Sequence, residues 1–147
     1  MLRQDGKPSA SWTIRPYQED DEDAVIDLWR TSFPDDTVIH EPKSAIRRKL
    51  EVQRDLFLVG EVDGRVIATA LAGFDGYRGW VYRVAVAREE QNRGYGRAIM
   101  LETERRLREM GCSKLNLQIR ANNPDVIKFY ERLGYSVSEN ISMGKVL

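Results

Sequence analysis

One cysteine, Cys112, and one histidine, His40, are all that the 147 residues hold of those two types. A disulfide within the chain is therefore excluded, and a zinc site built from Cys and His has no basis. No apolar run reaches the roughly 20 residues that cross a bilayer. The first eleven residues are polar, with Gly6 and Pro8, and lack the apolar middle of a signal peptide. Neither sign of charge prevails, with 23 Lys and Arg against 23 Asp and Glu and a pI near 6.6, which argues against the basic footprint of a nucleic-acid binder. Two phosphate motifs are also missing. Without G-x-x-x-x-G-K-[ST] there is no P-loop, and without G-x-G-x-x-G there is no dinucleotide fingerprint. These absences point to a reducing, cytoplasmic setting with no metal, membrane or nucleic-acid partner.

What is present suits one domain of ordinary size. The chain is 41% hydrophobic, enough for a core. Residues 1–11 are expected to be a flexible tail and 12–147 a single domain. Residues 12–16 suggest a first strand, and the acidic cluster Asp20, Asp21, Glu22 and Asp23 suits the positive start of a helix running to Phe33. Ser44 suggests the start of a second helix. Residues 56–62 and 66–74 are β-rich and joined by Asp63-Gly64, a hairpin turn, and 80–87 continue the meander. Residues 94–110 have helical spacing, with Gly111 placed to close the helix. Residues 114–120 alternate, with Leu115, Leu117 and Ile119 on one face and Asn116, Gln118 and Arg120 on the other. A helix over 124–133 and strands over 135–138 and 141–146 complete a mixed α/β order.

Two segments carry chemistry. In the first, Val84-Ala85-Val86 ends a strand, and Gln91-Asn92-Arg93-Gly94-Tyr95-Gly96 leads into a long helix. The first amides of a helix lack intrahelical partners and point outward at the positive end of the dipole, where a phosphate is well placed. Gly94 and Gly96 leave room for close approach, and Arg93 and Arg97 add charge. Alone, a glycine pair before a helix is as often an ordinary tight turn. In the second, Asn123 precedes a helix in which Val126, Phe129 and Leu133 face the core. Tyr130 sits at the edge of that stripe, and Gly134-Tyr135 follow. Alone, Tyr130 reads as a packed aromatic.

Together the segments resemble the GCN5-related N-acetyltransferase (GNAT) superfamily. Gln91, Gly94 and Gly96 match its Q/R-x-x-G-x-G/A pattern. Asn123, Phe129, Tyr130, Gly134 and Tyr135 match its downstream N-x-x-A-x-x-[FL]-Y-x-x-x-G-[FY] pattern, with Val126 in place of alanine. The turn Gly76-Tyr77-Arg78-Gly79 and the ending Ser142-Met143-Gly144-Lys145 are similar to the bacterial YpeA-like group. The resemblance implies a mostly antiparallel twisted sheet of about seven strands, splayed between the fourth and fifth and flanked by four helices. It implies acetyl-coenzyme A as cosubstrate, no metal, and direct attack by a primary amine, either a small molecule or a peptide N-terminus. Val84 and Val86 would pair with the pantetheine arm, and amides from Asn92 to Arg97 would hold the pyrophosphate. An amide near Ala85 or Val86 would polarise the thioester carbonyl. Asn123 would bond the arm or a water beside it, and Tyr130 would protonate the departing thiolate.

The base does not come with the resemblance. Gln118 stands where relatives that acetylate ribosomal-protein N-termini carry a glutamate, and an amide does not take up a proton near neutral pH. Gln118 is kept as a polar cleft residue, with Tyr82, Asp75, Glu61, His40 or a water chain as other candidates. Asp35, Asp36, Glu41 and His40 offer an acidic loop to a cationic amine, or simply a solvated one. The alternative function is a coenzyme A-binding module with weak or lost catalysis. A homodimer is left open. Cys112, just past Gly111, reads as a small buried hydrophobe.

Overall fold

The computed structural model describes residues 8–35, 37, 40–121 and 123–147. Its elements run β1 (Thr13–Pro16), α1 (Glu22–Ser32), α2 (Pro42–Leu50), β2 (Phe57–Val62), β3 (Arg65–Phe74), β4 (Gly79–Val86), α3 (Tyr95–Glu109), β5 (Leu115–Asn116) and α4 (Pro124–Arg132). The chain divides into two compact units, Met1–Leu117 and Gln118–Leu147.

In the first unit the strands lie in the order β1-β2-β3-β4-β5. The first four are antiparallel, and β5 joins β4 in parallel. Asp63 and Gly64 both take positive φ, 53° and 76°, as the two-residue turn between β2 and β3 requires. Strand alternation sorts the core into two layers. Phe57, Val59, Leu71 and Ala85 pack with Val25, Ile26 and Trp29 of α1 and Ile46 of α2. The alternate residues Leu58, Ala68, Ala70, Ala72 and Val81 are equally buried, and α3 turns Ile99, Met100, Thr103 and Leu107 inward. Gly79 is where β4 meets the end of α3: a Cβ there would lie 2.7 Å from Cys112 Sγ and 3.5 Å from Leu107 Cδ1. Ser9 is buried, its amide donating to the Tyr95 hydroxyl at 3.2 Å, and the Trp12 ring packs on Tyr95. The earlier part of the expected tail, 1–7, lies outside the described residues.

α2 starts earlier than Ser44. Glu41 is its N-cap, accepting from the Lys43 and Ser44 amides, and Pro42 fills the first turn. Among the described residues the sheet has five strands, which corrects the expected seven. β5 pairs at only two positions, Gly79↔Leu115 and Trp80↔Asn116, although the alternation runs on to Arg120. In the second unit, residues 135–138 and 141–146 also form no strand, and Val137, Ile141, Met143 and Val146 are exposed. Alternation marks a segment able to be a strand, but a strand exists only where a neighbour completes its hydrogen-bond ladder. α4 is closed by Gly134 at φ 96°, with Tyr135 N donating to Tyr130 O and Gly134 N to Glu131 O.

Candidate functional site

The ladder between β4 and β5 stops at Trp80, so within the first unit the edge of β4 beyond it has no strand beside it. Backbone alternation decides which groups that edge offers. The Ala87 amide donates to Ile67 O at 2.8 Å, which points Ala87 and Ala85 at β3. Val86 and Val84 therefore turn their amides and carbonyls to the open edge. Gln91 Nε2 donates to Val86 O at 3.1 Å and ties the following loop to the strand.

One residue is extra in β4. Thr69 pairs with Ala85 and Leu71 with Tyr82, so Ala70 alone faces both Arg83 and Val84. Arg83 sits in the left-handed region at φ 53°. This bulge re-aims the strand within the segment singled out from sequence. Arg83 O accepts from Thr69 Oγ1 at 2.8 Å, and Thr69 Oγ1 accepts from Trp29 Nε1 at 2.9 Å. In a trans peptide the N–H points opposite to the carbonyl, so the Val84 N–H faces away from Thr69, toward the open edge. Of the two amides expected to polarise the thioester carbonyl, Ala85 faces β3 and Val86 faces the open edge, and the Val84 amide faces that edge as well.

β4 leads through a short turn at Arg88–Glu90 into α3. Gly94 is the N-cap at φ 85°, α3 has no side-chain cap, and its first turn holds no acidic residue. Ala98 N makes the first helical bond, to Gly94 O at 3.0 Å, and the amides of Tyr95, Gly96 and Arg97 precede it. Tyr95 offers only its backbone there, since its ring is buried against Trp12. Glu90 is buried, bonds Arg65 at 3.0 Å and lies 3.8 Å from Arg93 Nη1, anchoring the loop from inside. An open strand edge running into an uncapped, acid-free helix start fits a ligand with an amide-bearing arm and a phosphate end.

In the second unit, Asn123 is the N-cap of α4 but makes no side-chain cap bond, leaving its amide to other uses. Tyr130 is buried, with Phe129 and Tyr135 edge-on at 4.9 and 5.7 Å. Burial pushes its phenol up to about 12, so it stays protonated and can donate. Gln118 is exposed and lies in no strand, because the ladder that would have carried it ends at Asn116. Tyr82 is 51% exposed and stacked on Trp80, and desolvation raises its pKa, which suits donation and not proton uptake.

Of the other base candidates Asp75 and Glu61 are engaged elsewhere, and so is Glu41 of the acidic loop. Asp75 Oδ1 accepts from the Arg78 and Tyr77 amides, which hold its pKa down in a turn. Glu61 bonds Arg15 at 3.2 Å, and Glu41 is spent on its helix cap. Asp36 lies outside the described residues. His40 is exposed, and its carbonyl accepts from Arg83 Nη2 at 2.6 Å. Thr69, Trp29 and Arg83 escaped sequence reasoning because nothing in residue type marks a bulge. Lys49 escaped it too: a half-buried amine bonded to Ala72 O, its pKa lowered by desolvation to about 8. Cys112 is a buried free thiol against Gly79. Among the described residues no helix is long and apolar enough to cross a membrane.

The Acetyltransferase (GNAT) family model matches residues 5–135. An acetyltransferase of Yersinia pestis (strain Pestoides F) is 38% identical over 136 residues, covering 91% of this chain and 94% of its own. The fold is similar to Ard1 from Thermoplasma volcanium, with a TM-score of 0.80 at 22% identity over 88% of this chain and 85% of that one. It is also similar to aminoglycoside N-acetyltransferase AAC(6')-Iy, a structure in complex with CoA, with a TM-score of 0.76 at 15% identity over 92% and 94% of the two chains. The family match and the curated relative converge on one conclusion: this chain belongs to the GNAT acetyltransferase family and takes its acyl group from acetyl-CoA.

Proposed function

We propose that this protein transfers the acetyl group to a primary amine, on a small molecule or a peptide N-terminus, by direct attack and without a covalent enzyme intermediate. The observation that supports it most is the open edge of β4 running into the uncapped start of α3. Acetyl-CoA supplies an activated thioester, and the chain supplies the rest. Val84 and Val86 hold the amide-bearing arm through backbone groups, with Gln91 bracing the strand end and Ala85 packing beneath. The amides from Asn92, Arg93, Gly94, Tyr95, Gly96 and Arg97 receive the pyrophosphate. The Val84 N–H bonds the carbonyl oxygen as negative charge develops on it.

Asn123 bonds the arm or a water beside it, and Tyr130 donates to the departing thiolate. No carboxylate base is assigned. Gln118 is a polar contact for the acceptor, and the amine's proton leaves to water, to which the Tyr82 hydroxyl donates. Residues 12–147 act as one catalytic domain, and the single thiol, Cys112, takes no part. The test is a thiol-release assay with acetyl-CoA and a panel of peptides, polyamines, amino acids and aminoglycosides. Amine-dependent release for at least one class is expected. Release for none, with acetyl-CoA bound, would leave a binding module instead.

A further inference from the structure

We propose that Thr69 and Trp29 are positioning residues for acetyl transfer: their buried hydrogen-bond chain fixes the Arg83–Val84 peptide so that its N–H, and not its carbonyl, faces the thioester. Both side chains are fully buried, at 0% exposure, so neither touches a ligand. Direction in this chain is forced. An indole N–H only donates, so the Thr69 oxygen receives it and must give its own proton onward, to Arg83 O. Each bond polarises the next. The carbonyl is thereby held toward Thr69 on β3, and planarity turns the Val84 N–H away from β3, to the open edge.

The peptide needs holding. Arg83 is a non-glycine residue at φ 53°, a conformation that persists only where its surroundings over-determine it. Its side chain adds a second hold: the guanidinium lies 4.9 Å from the ring centres of both Trp29 and Phe33 and donates to His40 O. Trp29 therefore supports the bulge from two sides, through its N–H and through its ring face. The same contacts join the bulge to Phe33 after α1 and to His40 before α2.

Because the assignment rests on acetyl-CoA lying along β4, wild-type binding is measured first, by calorimetry. Failure to bind would overturn that reading and this one with it. With binding established, the infrared carbonyl stretch of acetyl-CoA labelled at the thioester carbonyl is recorded free and bound, a readout that needs no acceptor. The wild type is expected to move the stretch to lower frequency, as a polarising donor does. Thr69→Val keeps the shape of the side chain and removes the hydroxyl. It is expected to lose most of that shift and at least about tenfold in kcat, with Kd for acetyl-CoA within about twofold. Thr69→Ser restores both. Trp29→Phe keeps a ring under Arg83 but frees the Thr69 hydroxyl to rotate, and is expected to lose part of the shift, which keeps the test open should Thr69→Val fail to fold. A wild-type shift retained in full by Thr69→Val or Trp29→Phe, with only Tm lowered, would overturn the positioning role and leave the donor site standing.

Discussion

Burial shapes Tyr130, the proposed acid. Its phenol is pushed up to about 12 by desolvation, with no charged neighbour contributing. A group held that high cannot work as a base near neutral pH, but it is a permanent donor to a thiolate. Tyr130→Phe is expected to lower kcat by about 100-fold while leaving acetyl-CoA affinity within about twofold by calorimetry. The pH profile follows from the sign of the shift. The donor is lost only on ionisation, so kcat/KM should show no falling limb from Tyr130 below about pH 11. A falling limb near pH 10 that vanishes in Tyr130→Phe would contradict this. At Gly94 the constraint is steric. Its φ of 85° costs an L-residue about 1–2 kcal/mol. Gly94→Ala is therefore expected to lower Tm by several degrees and to weaken acetyl-CoA binding, both read from one thermal titration.

The elements divide into those whose cues are local and those that depend on a neighbour. Asp63-Gly64, Gly111 and Gly134 announce their turns by residue type, and each takes the positive φ expected of it. The start of α3 is legible for the same reason. The Arg83 bulge is not, because an arginine gives no hint of a left-handed backbone and its support comes from α1 and β3. The late strands fail for a related cause: alternation over 114–120, 135–138 and 141–146 describes faces, while pairing is set by whichever strand lies alongside. The candidates Tyr130, for catalysis, and Asn123, for the cofactor, come from the joint pattern, whereas the polar strand face expected to aim Gln118 depends on a strand that stops at Asn116.

Lys49 on α2 is a half-buried amine bonded to Ala72 O. Its folded pKa is near 8 against an ordinary 10.5, with desolvation as the cause. The charged form is therefore disfavoured by folding, and the unfolded chain binds more protons between those two values. Stability should gain a rising contribution from about pH 8 to 10.5 as that penalty is relieved. Lys49→Met should flatten this slope in denaturant titrations across the same window. An unchanged slope would show that another group carries it.

Within the first unit, a sheet edge with no described strand beside it and a helix start with no side-chain cap are costs in an isolated protein and sites in a liganded one. Acetyl-CoA at 100 times its Kd should stabilise the protein by about 2.7 kcal/mol, seen as a Tm rise of several degrees. Net charge of zero, from 23 basic and 23 acidic residues, leaves no overall charge to attract the anionic cofactor, so Arg93→Gln and Arg97→Gln should each reduce the salt dependence of this binding. Transfer to an amine is the central claim, and the most direct measurement follows both products at once. Mass spectrometry of a reaction with an accepted amine should find one acetylated amine for each CoA thiol released, and no acetylated protein when the amine is omitted. Thiol release that proceeds equally without the amine, or an acetyl group retained on the protein and chased onto the amine, would contradict direct transfer.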